Sequence, residues 1–451
     1  MKTFQLKFKP VLILCLIGFV VASCGNDKKG DQKDPDADAK KSQQVDISPA
    51  IKGKDDVTSL KSQQDDKSQI AQDEDGVTSP DFSDANAAAI LLDCNYFREN
   101  PNAVLKDNPD APVDYIIPCM TRIDGKLTIE QGVVIAFEQD AGIDFKKKST
   151  FKMQGTAEKP IVLTGKEQIK GFWRGIYTES TSMINTMNYV TIDYAGGNSK
   201  AALNIQNETS SLSLKHCTFS NSKNYGMLTY RKVSKDVHNV DMNNCTFTRN
   251  KIPVKTQASR LRLFNDTNTF SGNDKDYIEL QGGTIYGDAT WAKLDVPYFL
   301  QGNFRIKDGV FTVKPGTAII MSTQKWIHVA ENASLVMVGT AEDPITFRGE
   351  HDVPGFWKQI NVRSSSPLNE IGHVIIKNAG KTTKKPNGAI FFEKGRFLNI
   401  HDVVFSDCFE YGLSISDATG SHLEHANLKL DNTPKLFSDW KGKEIPAPKN
   451  P

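Results

Sequence analysis

The sequence predicts an all-β fold, a parallel solenoid assembled from two copies of one duplicated unit. Three observations predict it: segments that recur at a fixed offset, a shorter period within each copy, and many short β-branched strands between Gly, Asn and Asp turns. The 451-residue chain is 38% hydrophobic, which is enough to fill a sizeable core. Its 55 Lys and Arg balance 54 Asp and Glu, and a net charge of +1 gives no indication of a nucleic-acid partner.

The first 24 residues contain a basic stretch, an apolar stretch and a cysteine. Three lysines precede an apolar run over residues 11–22, which is too short to span a bilayer, and Cys24 follows. Residues 21–24, Val-Ala-Ser-Cys, resemble the lipobox of bacterial lipoproteins. The resemblance implies that residues 1–23 are a signal peptide and that Cys24 becomes the lipidated first residue. The alternative is an ordinary secreted protein whose cysteine is incidental.

Residues 24–83 are predicted to be a disordered, charged tether. The segment is rich in Asp, Lys, Gln and Ser and nearly lacks aromatic residues, so it cannot bury enough apolar area to fold. A flexible chain of about 58 residues has an r.m.s. span of roughly 40 Å, which would hold the folded body clear of a lipid surface. Residues 27–29, Asp-Lys-Lys, resemble the charged export signals of surface lipoproteins in Bacteroidetes-type bacteria. That resemblance implies an outer-membrane anchor and exposure on the cell surface.

Residues 84–112 are predicted to cap the first coil, because a solenoid would otherwise expose an unpaired edge. Within them, residues 84–98, with the run Ala-Ala-Ile-Leu-Leu, are typical of a short amphipathic helix. Cys94 and Cys119 flank a Pro- and Asn-rich loop and are predicted to form a disulfide, since an envelope compartment permits one. The remaining cysteines lie in apolar strand patterns and are expected to be buried thiols. These are Cys217, Cys245 and Cys408.

Several segments recur at an offset of 184 residues. The pairs are residues 155–161 (Gly-Thr-Ala-Glu-Lys-Pro-Ile) with 339–345 (Gly-Thr-Ala-Glu-Asp-Pro-Ile), 171–173 (Gly-Phe-Trp) with 355–357, and Tyr115 with Tyr298 after a slip of one residue. One ancestral unit has therefore been duplicated. The copies are assigned to residues 113–295 (unit one) and 296–436 (unit two), and the Lys- and Pro-rich residues 437–451 are expected to form a loose tail.

Each copy contains a shorter period of 23 to 29 residues between strand triplets. The unit-one triplets are Val-Thr-Ile at 190–192, Cys-Thr-Phe at 217–219 and Cys-Thr-Phe at 245–247. Hairpin signals such as Asn-Gly are nearly absent, so the strands are expected to pair in parallel. With the Gly-Thr-Ala-Glu-x-Pro-Ile and Phe-Trp motifs, the pattern resembles the right-handed parallel β-helix (pectin-lyase-like) superfamily over residues 113–430. Trp173 and Trp357 are expected to pack at coil corners rather than to bind a ligand.

Motifs that carry chemistry are sparse in this chain. Pectin-hydrolysing members of the superfamily carry Asn-Thr-Asp, Asp-Asp, Gly-His-Gly and Arg-Ile-Lys on successive coils, and the coils here contain Arg-Ile-Lys alone, at 305–307. Its unit-one counterpart at 122–124 is Arg-Ile-Asp, so the match is interpreted as chance. We find no acidic cluster suited to Ca²⁺ and no nucleotide, zinc-type cysteine or nucleophile motif. The sequence therefore predicts no catalytic residue and no cofactor.

One column of side chains is a candidate metal site. Aligning the unit-two strands places His373, Asp402 and His425 at the same outward position on three consecutive coils. Coils stack about 4.8 Å apart, so two imidazoles and a carboxylate could bind a divalent metal. A solvent-facing ladder with one His–Asp hydrogen bond is the favoured interpretation, because unit one does not repeat the set. The unit-one column is Tyr189, His216 and Asn244.

The sequence leaves three hypotheses for function. The first is a non-catalytic surface protein that binds glycan, matrix or an envelope protein. The second is a polysaccharide lyase or glycoside hydrolase with its site in the loops 167–172 and 350–356, and the third is a structural spacer. An enzyme would show a groove with converging carboxylates, whereas a binder would show exposed aromatic residues. The missing motifs favour binding.

Overall fold

A computed structural model describes residues 89–197, 201–229, 239–383, 386–393, 395–416 and 422–450. These residues form an all-β parallel solenoid of about 13 turns, which confirms the predicted fold class. The chain divides into Met1–Gly76 and Val77–Pro451, and the solenoid belongs to the second part. The signal peptide, Cys24 and the tether lie outside the described residues. Within the described ranges, no helix has the length and apolar character needed to cross a bilayer.

Each coil of the first half contributes strands to three parallel sheets. The strands, in chain order, are β1 (Ile90–Leu91), β2 (Asn102–Leu105), β3 (Tyr115–Ile117), β4 (Met120–Ile123), β5 (Lys126–Glu130), β6 (Val134–Phe137), β7 (Gly142–Phe145), β8 (Thr150–Gln154), β9 (Ile161–Gly165), β10 (Gly175–Thr178), β11 (Thr186–Asn188), β12 (Val190–Asp193), β13 (Ala201–Ile205), β14 (Leu212–Lys215), β15 (Thr218–Ser220), β16 (Tyr225–Thr229), β17 (Val240–Asn243), β18 (Thr246–Thr248), β19 (Ile252–Thr256), β20 (Ile278–Leu280), β21 (Gly283–Ile285) and β22 (Ala289–Trp291). The sheets run through β1-β3-β6-β9-β12-β15-β18, β2-β5-β8-β11-β14-β17 and β4-β7-β10-β13-β16-β19. A 3-10 helix, Ala258–Leu263, follows β19.

The second half continues the stack with longer strands. They are β23 (Tyr298–Leu300), β24 (Phe304–Val313), β25 (Ala318–Met321), β26 (Ile327–Val338), β27 (Ile345–Gly349), β28 (Ile360–Val362), β29 (Glu370–Lys377), β30 (Gly388–Phe392), β31 (Phe397–Ser406), β32 (Tyr411–Ile415), β33 (His422–Ala426), β34 (Lys429–Asp431) and β35 (Lys435–Asp439). Strand β26 pairs with both β28 and β29, and β31 pairs with both β33 and β34. These long strands therefore carry the ladder around a corner of the coil.

The start of the solenoid differs from the predicted capping helix. Ile90 and Leu91 form strand β1, which pairs with β3, and the helix α1 (Tyr96–Glu99) is shorter and later than expected. The amide of Ile90 donates to the carbonyl of Asp114, so backbone pairing takes this apolar run into the sheet. Cys94 is bonded to Cys119, with their Cα atoms 6.0 Å apart.

The paired tryptophans of the two units pack inside the coils, as expected. Trp173 and Trp357 are both fully buried. The indole N–H of Trp173 donates to the carbonyl of Asp193 at 2.7 Å, and that of Trp357 donates to the carbonyl of Lys377 at 2.8 Å. Equal offsets thus give equal contacts. The three free cysteines are buried as well.

Buried asparagines recur at the same offset and bridge three coils each. Asn185 and Asn369 are almost fully buried. In each, the amide oxygen accepts a backbone N–H from the preceding coil and the NH₂ group donates to a carbonyl of the next coil, at 2.9–3.0 Å. The partners are Phe151 and Ser211 for Asn185, and Leu335 and Phe397 for Asn369. Sequence reasoning missed this pair, although the offset of 184 would have found it.

The C-terminal residues are ordered against the last coils, contrary to the loose tail predicted for 437–451. Ser438 forms an antiparallel bridge with Glu444. The Nε2 atom of His425 lies 2.8 Å from the carbonyl oxygen of Pro448, and Asn450 donates to the carbonyl of His425 at 3.1 Å. This return covers backbone groups that the final strands would otherwise expose.

Candidate functional site

Two adjoining depressions on unit two form one groove. Their volumes are about 590 and 230 Å³, and both are lined by His328 and Arg363. We call this surface the unit-two groove. Its cationic lining is Arg305, Lys307, Lys358, Arg363 and Arg396, and its aromatic lining is Trp326, Phe391 and Trp440.

Strand register aligns the centre of the groove. Arg305 on β24 pairs with His328 on β26, His328 pairs with Asn361 on β28, and Asn361 pairs with Phe391 on β30. The next residue of β24, Ile306, is fully buried. Because side chains alternate along a strand, this column points outward from four successive coils. Arg305 and Lys307, whose motif was interpreted as a chance match, therefore lie on the same surface.

Positive charge in the groove exceeds negative charge. Among the described lining residues, the carboxylates are Glu331 and Glu393. Glu393 forms an ion pair with Arg363, and Glu331 lies 2.9 Å from Arg396. Arg305 is exposed and forms no ion pair with any carboxylate in the described ranges. The groove thus has cationic groups available for an anion.

His328 is a neutral imidazole in the middle of this cationic surface. Burial, together with the charges of Arg305 and Arg363, lowers the pKa of His328 to about 4. At pH 7 the ring therefore carries one N–H donor and one lone-pair acceptor. The edge of the Trp326 ring packs against it, with ring centroids 5.8 Å apart.

The groove also holds amide oxygens without hydrogen bonds. Gln359 Oε1 and Asn361 Oδ1 are buried and accept no hydrogen bond from the described residues. Buried acceptors of this kind are uncommon and indicate a missing donor. Hydroxyl groups of a bound ligand would supply such donors.

The same face of unit one has the opposite charge at three positions. Asp124, Asp144 and Glu179 of unit one correspond to Lys307, His328 and Arg363 of unit two at offsets of 183 or 184. In unit one the acids neutralise neighbouring cations, with Arg122 paired to Asp124 at 2.7 Å and Lys146 to Asp144 at 2.5 Å. One scaffold therefore carries a neutralised face and a cationic face.

The predicted histidine column needs one correction. His373 and Asp402 share a corner position with positive φ, of 47° and 53°, but the third residue there is Asn427, with φ of 51°, and not His425. His425 pairs with Ile400 and contacts the C-terminal return. The sequence alignment was shifted by two residues, which preserves strand alternation and so left no sign of the error. The unit-one column of Tyr189, His216 and Asn244 also has positive φ.

His401, which the sequence reasoning did not select, joins His373 and Asp402. Its Nδ1 atom lies 2.8 Å from Asp402 Oδ2, and His373 Nε2 lies 3.8 Å from the same oxygen. The hydrogen bond with Asp402 raises the pKa of His401, and that bond and the one from Asn427 lower the pKa of Asp402.

The loops 167–172 and 350–356, which were expected to hold any catalytic site, do not line the unit-two groove. Both instead expose an aliphatic side chain at equivalent positions, Ile169 and Val353. Comparison of the chain with known protein families, curated proteins and solved structures finds no match.

Proposed function

We propose that this protein is a lipid-anchored surface protein whose unit-two groove binds an anionic polysaccharide without cleaving it. The observation that carries the proposal is the difference in charge between two copies of one scaffold. At equivalent positions unit one has Asp124, Asp144 and Glu179, and unit two has a lysine, a histidine and an arginine. Cys24 supports the anchor by its resemblance to a lipobox cysteine.

The groove offers the contacts that an acidic sugar chain requires. Arginine can bind carboxylate or sulfate groups through two parallel hydrogen bonds. Trp440 exposes 54% of its surface and offers an apolar face to a sugar ring. The free oxygens of Gln359 and Asn361 can accept hydrogen bonds from sugar hydroxyls.

Binding fits these residues better than hydrolysis does. A glycoside hydrolase needs two carboxyl groups roughly 5–9.5 Å apart, one as acid and one as base or nucleophile. In the described groove both carboxylates are held by arginines, Glu393 by Arg363 and Glu331 by Arg396. Neither is placed as a free acid facing a free base.

His328 favours one second candidate, a polysaccharide lyase. A neutral imidazole between Arg305 and Arg363 could remove the proton beside a uronate carboxylate while an arginine neutralises that carboxylate. Elimination would then break the bond to the neighbouring sugar and leave a carbon–carbon double bond. Release of unsaturated product from polygalacturonate, read by ultraviolet absorbance, would favour this candidate, and loss of that release in His328→Ala would assign it to the groove.

The unit-one residues supply a matched test of binding. Full-length protein made with Cys24→Ser and carrying Lys307→Asp and Arg363→Glu would give unit two the charges of unit one. We expect this variant to lose retention on chondroitin sulfate and polygalacturonate columns, whereas the parent is retained and neither binds dextran. The control carries the reverse exchange, Asp124→Lys and Glu179→Arg, and should be retained at least as strongly as the parent.

Retention of the parent that survives the Lys307→Asp, Arg363→Glu exchange would place binding elsewhere. Absence of retention on every column would contradict the proposal and favour a protein partner or a spacer role.

A further inference from the structure

Two histidines and an aspartate meet at one corner of unit two. One ligand atom each of His373, His401 and Asp402 lies within 4.8 Å of the other two. His373 belongs to β29, and His401 and Asp402 belong to β31, the next strand of the stack. All three side chains are partly buried, so solvent reaches the cluster from one side.

Neighbouring residues hold the cluster in place. Glu370 Oε1 lies 3.2 Å from His401 Nε2, and the Asn427 amide donates to Asp402 Oδ1 at 3.0 Å. Oδ2 of Asp402 is thereby left to face the two histidines. Gly372 stands opposite His401 in the register, and a Cβ atom on Gly372 would lie 2.5 Å from the imidazole Cε1. Glycine at this position therefore makes room for the ring.

Proton counting leaves one place for a cation. A neutral imidazole carries a single N–H. If His401 donates that proton from Nε2 to Glu370, its Nδ1 lone pair faces Asp402 Oδ2, which is also an acceptor. Two acceptors 2.8 Å apart require a proton or a metal ion between them. Outer carboxylates that orient a ligating histidine in this way are typical of metal sites.

We propose that His373, His401 and Asp402 bind one divalent transition-metal ion of the Zn²⁺ class. The ligand atoms are His373 Nε2, His401 Nδ1 and Asp402 Oδ2. Two imidazoles with one carboxylate favour borderline ions over Ca²⁺ or Mg²⁺. The ion takes the place of any proton between His401 and Asp402, that proton leaves to solvent, and water completes the coordination.

The cluster requires a small adjustment to reach metal geometry. Donors at about 2.0–2.1 Å from a tetrahedral Zn²⁺ lie about 3.4 Å apart. The distance from His373 Nε2 to Asp402 Oδ2 is 3.8 Å, so a side-chain rotation of His373 suffices for this pair. Bound metal would crosslink β29 to β31 and so stabilise two adjacent coils.

Unit one shows the same corner without the site. Tyr189 stands where unit two has His373, and its ring stacks on His216 with centroids 4.4 Å apart. Asn188 corresponds to Gly372, and Lys215 pairs with it where unit two has His401. His216 is therefore a control histidine on the same scaffold. The inference is independent of polysaccharide binding.

The test is titration of purified, untagged full-length protein with ZnCl₂ against a chromophoric chelator, with the shift in melting temperature as a second readout. We expect one Zn²⁺ per chain and a higher melting temperature. His373→Ala keeps the His401 contacts with Glu370 and Asp402, and it should weaken binding by at least about 100-fold, since removal of an outer-shell partner alone costs roughly 10–100-fold. His216→Ala should bind as the parent does.

Two results would overturn the proposal. One is a parent protein that takes no Zn²⁺ from the chelator, which leaves the cluster as a hydrogen-bonded ladder. The other is unchanged binding in both His373→Ala and His401→Ala, which would place the ion elsewhere. If His401→Ala does not fold, His373→Ala decides the outcome, because His373 makes no short hydrogen bond to the cluster.

Discussion

At the scale of single residues, buried amides do much of the work of closing each coil. A corner of the solenoid interrupts the ladder, so backbone groups there need side-chain partners. Asn369 supplies them on both sides, to the amide of Leu335 and the carbonyl of Phe397. Asn185 does the same in unit one. A short polar side chain that reaches two coils cannot be replaced by an apolar one of similar size.

Replacing Asn369 by alanine should therefore destabilise unit two. Two buried backbone groups would lose their partners at roughly 1–3 kcal/mol each, so we expect a loss of about 2–4 kcal/mol in the free energy of unfolding. Urea denaturation followed by circular dichroism measures it. Asn332→Ala removes an exposed asparagine of the same unit and should change stability by less than about 0.5 kcal/mol. Equal stability of the two variants would contradict the role assigned to Asn369.

His328 gives the unit-two groove a predicted dependence on pH. Its pKa is lowered to about 4 by burial and by Arg305 and Arg363. A bound anion would offset those charges and raise the pKa, so the complex would hold more protons than the free protein between pH 4 and 6.5. Affinity should therefore rise as the pH falls below about 6.5 and stay constant above it.

Chondroitin sulfate suits this measurement because sulfate esters remain charged throughout the range. Dissociation constants at pH 7.5 and pH 5 should differ several-fold in the parent protein and less in His328→Gln. Glu331 and Glu393 also face the groove and remain in both proteins, so the difference between the two slopes isolates His328. Identical slopes would exclude it.

At the scale of elements, strands were easier to predict than their register. Alternating apolar residues locate the triplet Val-Thr-Ile, which the structure places in β12. The register in the last coils was wrong by two residues, because such a shift keeps every apolar side chain on the same face. This is why His425 was chosen in place of His401. The first strand was missed because the run Ile-Leu-Leu is short enough to suit either a helix or a strand.

At the scale of the whole molecule, the duplication was visible in the sequence and the candidate groove was not. Repeated glycines and tryptophans conserve the coil, so the offset of 184 residues predicted the fold. The groove arises where the copies differ, as at Asp124 and Lys307, and only the stacking of coils shows that such positions share a surface. A duplicated solenoid can keep its core constant while its outer columns acquire separate binding properties.

The lipid anchor makes a prediction for the whole chain in its cell. Cys24→Ser should move the protein from the membrane fraction to the soluble fraction and abolish its labelling with palmitate, because the acyl chains contribute roughly 0.8 kcal/mol per buried CH₂. Cys15→Ser alters a cysteine in the apolar part of the same leader and should leave both properties unchanged. Protease added to intact cells should release the solenoid by cutting within residues 24–83 if the protein faces outward. A Cys24→Ser protein that stays in the membrane fraction would show that another segment anchors the chain.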